Sequence, residues 1–256
     1  MIDASHVIQQ YHADPARDDD RRRWSGNLNT GDFHLFKQAL ECGDTSTTQH
    51  MLDNYMVSPE LSCTYANPDN STRWCYATEL LQRFNVPGET VVEIGAGSHA
   101  TVADQMLTNS PQTRYVVCDL VTPLLIAYHE LSKQHDTYYM RSTDSLLSQT
   151  QQHRCVLLPH HMIDQLYSLG ECLYYNSYSL SEMSPNEQTH YMDVVGTTGS
   201  RLLSENYMTG RGKCHLCNQR YTPMQLYIPE HFETCWTDTC AVPTNPGASI
   251  QLIQAT

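Results

Sequence analysis

Positive charge is scarce in this chain of 256 residues. It has 15 Lys and Arg residues against 28 Asp and Glu, which gives a formal net charge of −13. The only cluster of cations, Arg21–Arg23, directly follows three aspartates, Asp18–Asp20. A surface that follows nucleic-acid phosphates needs clustered cations, so we expect no nucleic-acid partner.

Long apolar runs are absent as well. No stretch approaches the ~20 apolar residues of a membrane-spanning helix. The first residues, Met1–His6, have neither the basic nor the apolar segment of a signal peptide. We therefore expect a soluble cytoplasmic protein with no membrane partner.

The sequence offers little evidence for a metal site, although it contains 10 cysteines. Without an export signal, reduced thiols are expected. Cys214-x-x-Cys217 could form half of a zinc site, but Cys235 and Cys240 would face opposite sides of a continuous strand. The pair His160–His161 has no accompanying carboxylate–histidine cluster. We favour incidental thiols and predict no metal.

Two nucleotide-binding motifs are also missing. There is no phosphate loop of the form G-x-x-x-x-G-K-[ST], and the segment 210–213 is too short to replace it. The dinucleotide motif G-x-G-x-x-G is incomplete, because Ala100 stands where its third glycine would be. The first absence excludes a P-loop hydrolase, and the second disfavours an NAD-dependent oxidoreductase.

The sequence does contain two strand-like runs, each of which ends at residues suited to an adenosine ligand. The run 91–95 contains Glu93 and leads into Gly95-Ala96-Gly97. These glycines allow a tight turn and a close approach of the backbone to a ligand. The run 115–119 ends at Asp119, where a βαβ unit places a carboxylate on ribose hydroxyls. A carboxylate at Glu93 that points into the loop would repel a pyrophosphate but suit a ligand with an ammonium and a sulfonium group.

Strands and helices alternate from about residue 90 onward, whereas the residues before that show helical spacing. This order predicts an α/β fold with a Rossmann-like, seven-stranded, mostly parallel sheet and helices on both faces. Two late runs, 230–241 and 248–254, would close the sheet as an antiparallel hairpin. We expect a helical N-terminal region, 1–86, that forms a lid or a substrate wall, followed by the ligand-binding domain, 87–256.

The pattern E-x-G-x-G at Glu93–Gly97 resembles motif I of the class I S-adenosylmethionine-dependent methyltransferases. Asp119 falls where that family has its ribose-binding acid. This resemblance implies S-adenosyl-L-methionine as the cofactor. The residues expected to bind it are Glu93, Gly95, Ala96, Gly97, Asp119, Leu120, Pro159 and His160.

A second segment is similar to the sugar O-methyltransferase family. Its pattern Asn-x-x-Ser-x-x-Glu-Met occurs at Asn176–Met183, after a Leu-Pro element at Leu158–Pro159. Asn206 follows the fifth strand, as an Asn does in that family. The resemblance covers roughly residues 90–210. The chain departs from the pattern of that family at two places, Leu180-Ser181 before Glu182 and Tyr207 after Asn206. These differences concern the identity of the substrate.

The resemblance implies methylation of a hydroxyl on a small polar acceptor, such as a sugar or a natural product. An alcohol benefits from a base that removes its proton. His161 is the first candidate because an imidazole titrates in the right range, and Glu182 is the second. We expect Asn176, Ser179 and Asn206 to bind the substrate.

Two other functions and the oligomeric state stay open. An N- or carboxyl-methyltransferase would share the fold and the methyl donor. A cofactor-binding protein without catalysis would keep Glu93, Gly95 and Asp119 but show no turnover. The sequence does not fix the oligomeric state, and a homodimer is one option.

Overall fold

A computed structural model describes residues 2–14, 30–54, 68–97, 100–207, 228–238 and 248–256. Helices precede the first strand: α1 (Ala4–Ala13), α2 (Thr30–Cys42), α3 (Thr45–Asn54) and α4 (Pro68–Phe84). The first helix begins after Asp3, whose carboxylate accepts a hydrogen bond from the Ser5 N–H. This bond satisfies one of the N–H groups that a helix start leaves without a partner.

Strands and helices alternate after α4. The strands are β1 (Thr90–Ile94), β2 (Arg114–Asp119), β3 (Thr137–Tyr139), β4 (Cys155–Pro159), β5 (Cys172–Ser177), β6 (Arg201–Tyr207), β7 (Phe232–Asp238) and β8 (Ala248–Ala255). The helices are α5 (Thr101–Asn109), α6 (Val121–Leu131), α7 (Leu146–Gln152), α8 (Ser179–Glu182) and α9 (Pro185–Thr197). A 3-10 segment, His160–Leu169, joins β4 to β5.

The strands form one mostly parallel sheet in the order β3-β4-β2-β1-β5-β6-β8-β7. The predicted fold class and the antiparallel closing hairpin are confirmed, since β8 pairs antiparallel with both β6 and β7. The predicted count of seven strands is wrong, because the described sheet has eight. The additional strand is β3, which has three residues and pairs with β4 at the sheet edge. So short a run carries too little alternation to be recognised as a strand in the sequence.

Helices cover both faces of the sheet, as predicted. Alternation along β1 sends Val91 to one face and Val92 to the other, and both are fully buried. Val91 belongs to a core that includes residues of α1 to α6, whereas Val92 packs with residues of the 3-10 segment and α9. The N-terminal helices therefore share a hydrophobic core with the sheet.

The start of α9 follows from a local sequence pattern. Ser184 caps the helix by accepting from the Glu187 N–H, and the Glu187 carboxylate accepts from the Ser184 N–H. Pro185 occupies the first helical turn, where its missing N–H costs nothing. The capping box predicts this helix start correctly. Among the described helices, none is long and apolar enough to cross a membrane.

Candidate functional site

The strand order places a crevice beside β1. This strand lies between β2 and β5. The next strand in the chain, β2, pairs with one edge of β1, and β5 later pairs with the opposite edge, so the strand order reverses at β1. In parallel sheets, ligands bind beyond the carboxyl ends of the strands at such a switch point. The register brings Ile94 level with Cys118 and Asn176, and Asp119 level with Pro159.

The turn after β1 has the backbone that the sequence predicts. Gly95 and Gly97 have φ angles of +71° and +69°, a region that residues with a Cβ rarely adopt. The Gly95 N–H donates to the Cys118 carbonyl oxygen at 2.8 Å. A Cβ built on Gly97 would meet no atom of the other described residues within 4 Å, so these residues leave room for a ligand above the turn. Ser98 and His99 lie outside the described residues.

Asp119 connects β2 to this turn. Its two carboxylate oxygens accept the N–H groups of Gly97 at 2.8 Å and Leu120 at 2.7 Å. Each oxygen keeps a second lone pair, so the carboxylate can still accept ribose hydroxyls. Burial raises the pKa of Asp119 to about 6, although the hydrogen bonds from Leu120 and Gly97 lower it. The carboxylate therefore fits the ribose-binding role that its spacing predicts.

Glu93 belongs to β1 and lies two residues before Gly95. Its side chain is buried, and it accepts a hydrogen bond from the Tyr115 hydroxyl at 2.9 Å. Burial, together with the Glu93 charge, raises the Tyr115 pKa well above its ordinary value. The carboxylate thus bonds to β2 inside the sheet, and direct contact with a cofactor stays a prediction. Ala96 and Leu120 are half-buried at the crevice.

Asn176, Ser179 and Asn206 form a hydrogen-bonded network. The Asn176 amide and the Ser179 hydroxyl donate to the Ile94 carbonyl oxygen at 2.7 and 2.8 Å, and they also contact each other. The Asn206 amide donates to Asn176 Oδ1 at 2.6 Å, and its oxygen accepts the Ser181 N–H. Both asparagines are fully buried. They therefore position the segment after β5, and their contact with a substrate stays a prediction.

The two adjacent histidines after Pro159 have opposite surroundings. His160 is buried, and its Nδ1 and Nε2 lie 2.9 Å from the Tyr191 hydroxyl and 3.4 Å from Glu187 Oε1. Burial alone would lower the His160 pKa, but its contacts with Cys118 and Glu187 outweigh burial and raise it to about 10. His160 is therefore a cation at neutral pH. Because Glu187 and Tyr191 occupy both ring nitrogens, any contact of His160 with a cofactor would use its backbone or the ring face.

Glu187 and Tyr191 are site residues that sequence reasoning missed. One Glu187 oxygen caps α9 and the other faces His160, whose hydrogen bond lowers the Glu187 pKa to about 2. A protonated imidazole donates from both nitrogens, so the Tyr191 hydroxyl accepts from His160 and can donate to Cys118 Sγ, 3.2 Å away. The capping box accounts for Glu187 in the sequence, and no local pattern indicates its second contact, with His160.

His161 remains available for proton transfer. Its side chain is half-buried, and its Nδ1 is buried without a hydrogen-bond partner among the described residues, so only Nε2 could meet an acceptor hydroxyl. Burial lowers its pKa below the ordinary value, and the charge of His160 lowers it further. The imidazole is therefore neutral at neutral pH and can accept a proton. The side chain of Glu182, the other predicted base, lies outside the described residues.

Asp14 brings a carboxylate from the N-terminal region toward the crevice. It caps the carboxyl end of α1 and is only 3% exposed. Its charge raises the pKa of Asp119 and opposes the lowering of the His161 pKa, so it acts on both groups. No local motif marks Asp14 in the sequence. The carboxyl end of α1 thus adjoins the predicted cofactor and base residues.

The zinc hypothesis is left largely without a structural test. Cys214, Cys217 and Cys240 lie outside the described residues, and Cys235 is an exposed thiol on β7. Within the part of the chain that the structure describes, no three metal-ligating side chains form a cluster.

Solved structures of methyltransferases share this architecture. The pyocyanin biosynthetic protein PhzM has a TM-score of 0.51 and 13% identity, over 89% of this chain and 70% of that chain. The small RNA methyltransferase HEN1 has a TM-score of 0.50 and 14% identity, over 75% of this chain and 26% of that chain. The mitomycin 7-O-methyltransferase MmcR has a TM-score of 0.49 and 12% identity, over 100% of this chain and 74% of that chain. Neither a protein-family model nor a curated protein matches the chain.

The chain has the class I methyltransferase fold. The glycine turn after β1 and the acid at the end of β2 occupy the crevice of that fold. His161 and Asp14 belong to the same region, since the charge of Asp14 acts on both Asp119 and His161.

We expect Gly95→Ala to destabilise the protein more than Gly97→Ala does. Both residues have positive φ, which costs an alanine about 1–2 kcal/mol. A Cβ on Gly95 would in addition overlap the Ser179 side chain, whereas a Cβ on Gly97 would meet none of the other described residues. Urea denaturation measures the free energies of unfolding. The double variant Gly95→Ala/Ser179→Gly should recover part of the loss, and equal effects at the two glycines would contradict the assigned contact.

We expect the His160–Glu187 pair to stabilise the fold within a defined pH range. The pKa of His160 is raised from 6.5 to about 10, so its contribution is complete below pH 6.5 and is lost as the pH rises toward 10. The pKa of Glu187 is lowered from 4.5 to about 2, so its contribution is lost as the pH falls from 4.5 toward 2. Unfolding of Glu187→Gln, which can still cap α9, should differ most from the unaltered protein between pH 4.5 and 6.5.

The matched control for this variant is Glu130→Gln, which removes an equal charge from a solvent-accessible pair with Lys133. Its effect on the free energy of unfolding should be small. A loss in Glu187→Gln that stays constant from pH 3 to pH 10 would show that the ion pair is not its cause.

Proposed function

We propose that the chain is an S-adenosylmethionine-dependent methyltransferase that acts on a hydroxyl of a small polar molecule, a sugar or a natural product. The observation that carries the proposal is the geometry of Gly97 and Asp119 at the switch point of a methyltransferase fold. The open space above Gly97 lets a ligand approach the backbone, and Asp119 offers lone pairs to its ribose. When bound, S-adenosylmethionine supplies a methyl group on a sulfonium.

His161 would accept the proton of the acceptor hydroxyl. It follows β4 at the same edge of the sheet as Asp119, and its imidazole is neutral at neutral pH. Removing the proton as the new bond forms makes the oxygen a better nucleophile. Orienting the acceptor in line with the methyl group supplies the rest of the rate enhancement. The carboxyl end of α1, with Asp14, would form part of the acceptor wall.

Two alternative functions lead to different observations. An N-methyltransferase can use a neutral amine and would tolerate loss of His161, and a carboxyl-methyltransferase acts on an acceptor that is already ionised. A cofactor-binding protein without catalysis would bind S-adenosylhomocysteine but turn over no acceptor. The printed name of HEN1 describes an RNA substrate for that protein. The net charge of −13 disfavours such a substrate here.

We expect Asp119→Asn to weaken binding of S-adenosylhomocysteine by roughly 1–3 kcal/mol, because charge-assisted hydrogen bonds to the ribose are lost. In the unaltered protein, the affinity should fall as the pH drops through about 6, where Asp119 becomes protonated. Calorimetry at several pH values measures both effects. Asp136→Asn, an exposed change, is the control. An Asp119→Asn variant with unchanged affinity would remove Asp119 from the site.

We expect His161→Ala to lower turnover by about 10²- to 10⁴-fold while the affinity for S-adenosylhomocysteine stays within a few fold. His161 accepts a proton only when it is neutral, and its pKa is lowered from 6.5. The rate of the unaltered enzyme should therefore decline only below pH 6.5, as its pH–rate profile can show.

Two further variants accompany this measurement. His190→Ala removes a half-buried histidine that pairs with Asp164 outside the crevice, and it should leave turnover unchanged. If Glu182→Gln abolishes turnover and His161→Ala does not, Glu182 is the base. If neither substitution lowers turnover, methylation of an alcohol with the help of a base is the wrong mechanism, and an acceptor that needs no base is favoured.

A further inference from the structure

A second cavity, of about 470 Å³, lies beside β3, at the edge of the sheet. Its volume is within the range of small-molecule sites, roughly 300–1,000 Å³. Its wall includes residues from the start of α1, from α6 and from β3 with the loop that follows it. None of the residues assigned to the Asp119 crevice lines this cavity.

Aromatic rings form much of the cavity wall. Tyr139 packs edge-on against both Tyr128 and His6, with ring centroids 6.4 and 6.3 Å apart. Tyr138 also lines the cavity, and its hydroxyl donates to Asp144 at 2.9 Å. That bond fixes the Tyr138 ring. Such rigid rings suit the face of a six-membered ring.

Arg141 places a cation at the wall of this cavity. Arg141 is exposed, lines the cavity and forms no ion pair with the described residues. A guanidinium matches a carboxylate through two parallel hydrogen bonds. In a chain of net charge −13, an unpaired arginine on a cavity wall favours an anionic group at this position.

Hydrogen-bond acceptors lie at the start of α1. His6 Nε2 donates to the Met140 carbonyl oxygen at 3.3 Å, so Nδ1 of the neutral ring is an acceptor. Asp3 uses one carboxylate oxygen to accept from the Ser5 N–H, and its other oxygen can accept further bonds. These two side chains suit hydroxyl groups on a ligand.

From this combination we propose that the cavity binds a hydroxylated six-membered ring that carries a carboxylate. The ring lies against the tyrosines, the carboxylate pairs with Arg141, and the hydroxyls bond to His6 and Asp3. The proposal does not rest on methyl transfer, since no residue of the Asp119 crevice takes part. A phenolic acid and a sugar acid share this chemistry.

Calorimetry on the full chain distinguishes these ligands with two matched pairs of probes. One pair is 4-hydroxybenzoate and 4-hydroxybenzyl alcohol, and the other is glucuronate and glucose. The acid of at least one pair should bind about 10- to 100-fold more tightly than its neutral partner, the gain expected for a charge-assisted pair of hydrogen bonds. The pair that shows the preference identifies the ligand as aromatic or as a sugar.

Substitutions locate the binding. Arg141→Gln should remove the preference for the acid, whereas Arg114→Gln, an exposed change at the amino end of β2, should preserve it. Tyr128→Ala should weaken binding of the acid and of its neutral partner alike. Absence of binding by all four probes, or an acid preference that survives Arg141→Gln, would overturn the proposal.

Discussion

The contact between the turn after β1 and the segment after β5 holds the crevice together. The Ile94 carbonyl oxygen accepts hydrogen bonds from Asn176 and Ser179, which draw the start of α8 against the backbone of Gly95. A glycine is required there because Ser179 occupies the volume of a Cβ. Tyr178, beside Ser179, has a φ of +64°, which is uncommon for a residue with a Cβ.

Electrostatics give two neighbouring histidines different roles. His160 faces Glu187 inside the protein and is held as a cation, which fixes the carboxyl end of β4 to α9. That cation lowers the pKa of both Asp119 and His161. The pair therefore favours an ionised ribose-binding acid and a neutral base in the same crevice. Asp14 opposes both effects from α1, so the N-terminal region contributes to the charge balance of the site.

The strand that the sequence did not predict changes the shape of the molecule. β3 extends the sheet beyond β4, and the start of α1 packs beside it through His6 and Met140. This edge creates the second cavity. Helix α1 then has one end at the second cavity and the other, at Asp14, near the crevice. At 1.5 Å per residue its ten residues span about 15 Å.

The sequence by itself determined the features that depend on neighbours along the chain. These are the strand–helix alternation, the glycine turn at Gly95–Gly97, the acid at Asp119 and the capping box at Ser184. Each follows from backbone geometry or from side chains a few residues apart. Only the tertiary structure decided which buried polar groups meet, because those pairs are separated by tens of residues. It joined Asn206 to Asn176, His160 to Tyr191 and Tyr115 to Glu93. A buried polar group needs a partner, and packing of the sheet and helices determines which partner is within reach.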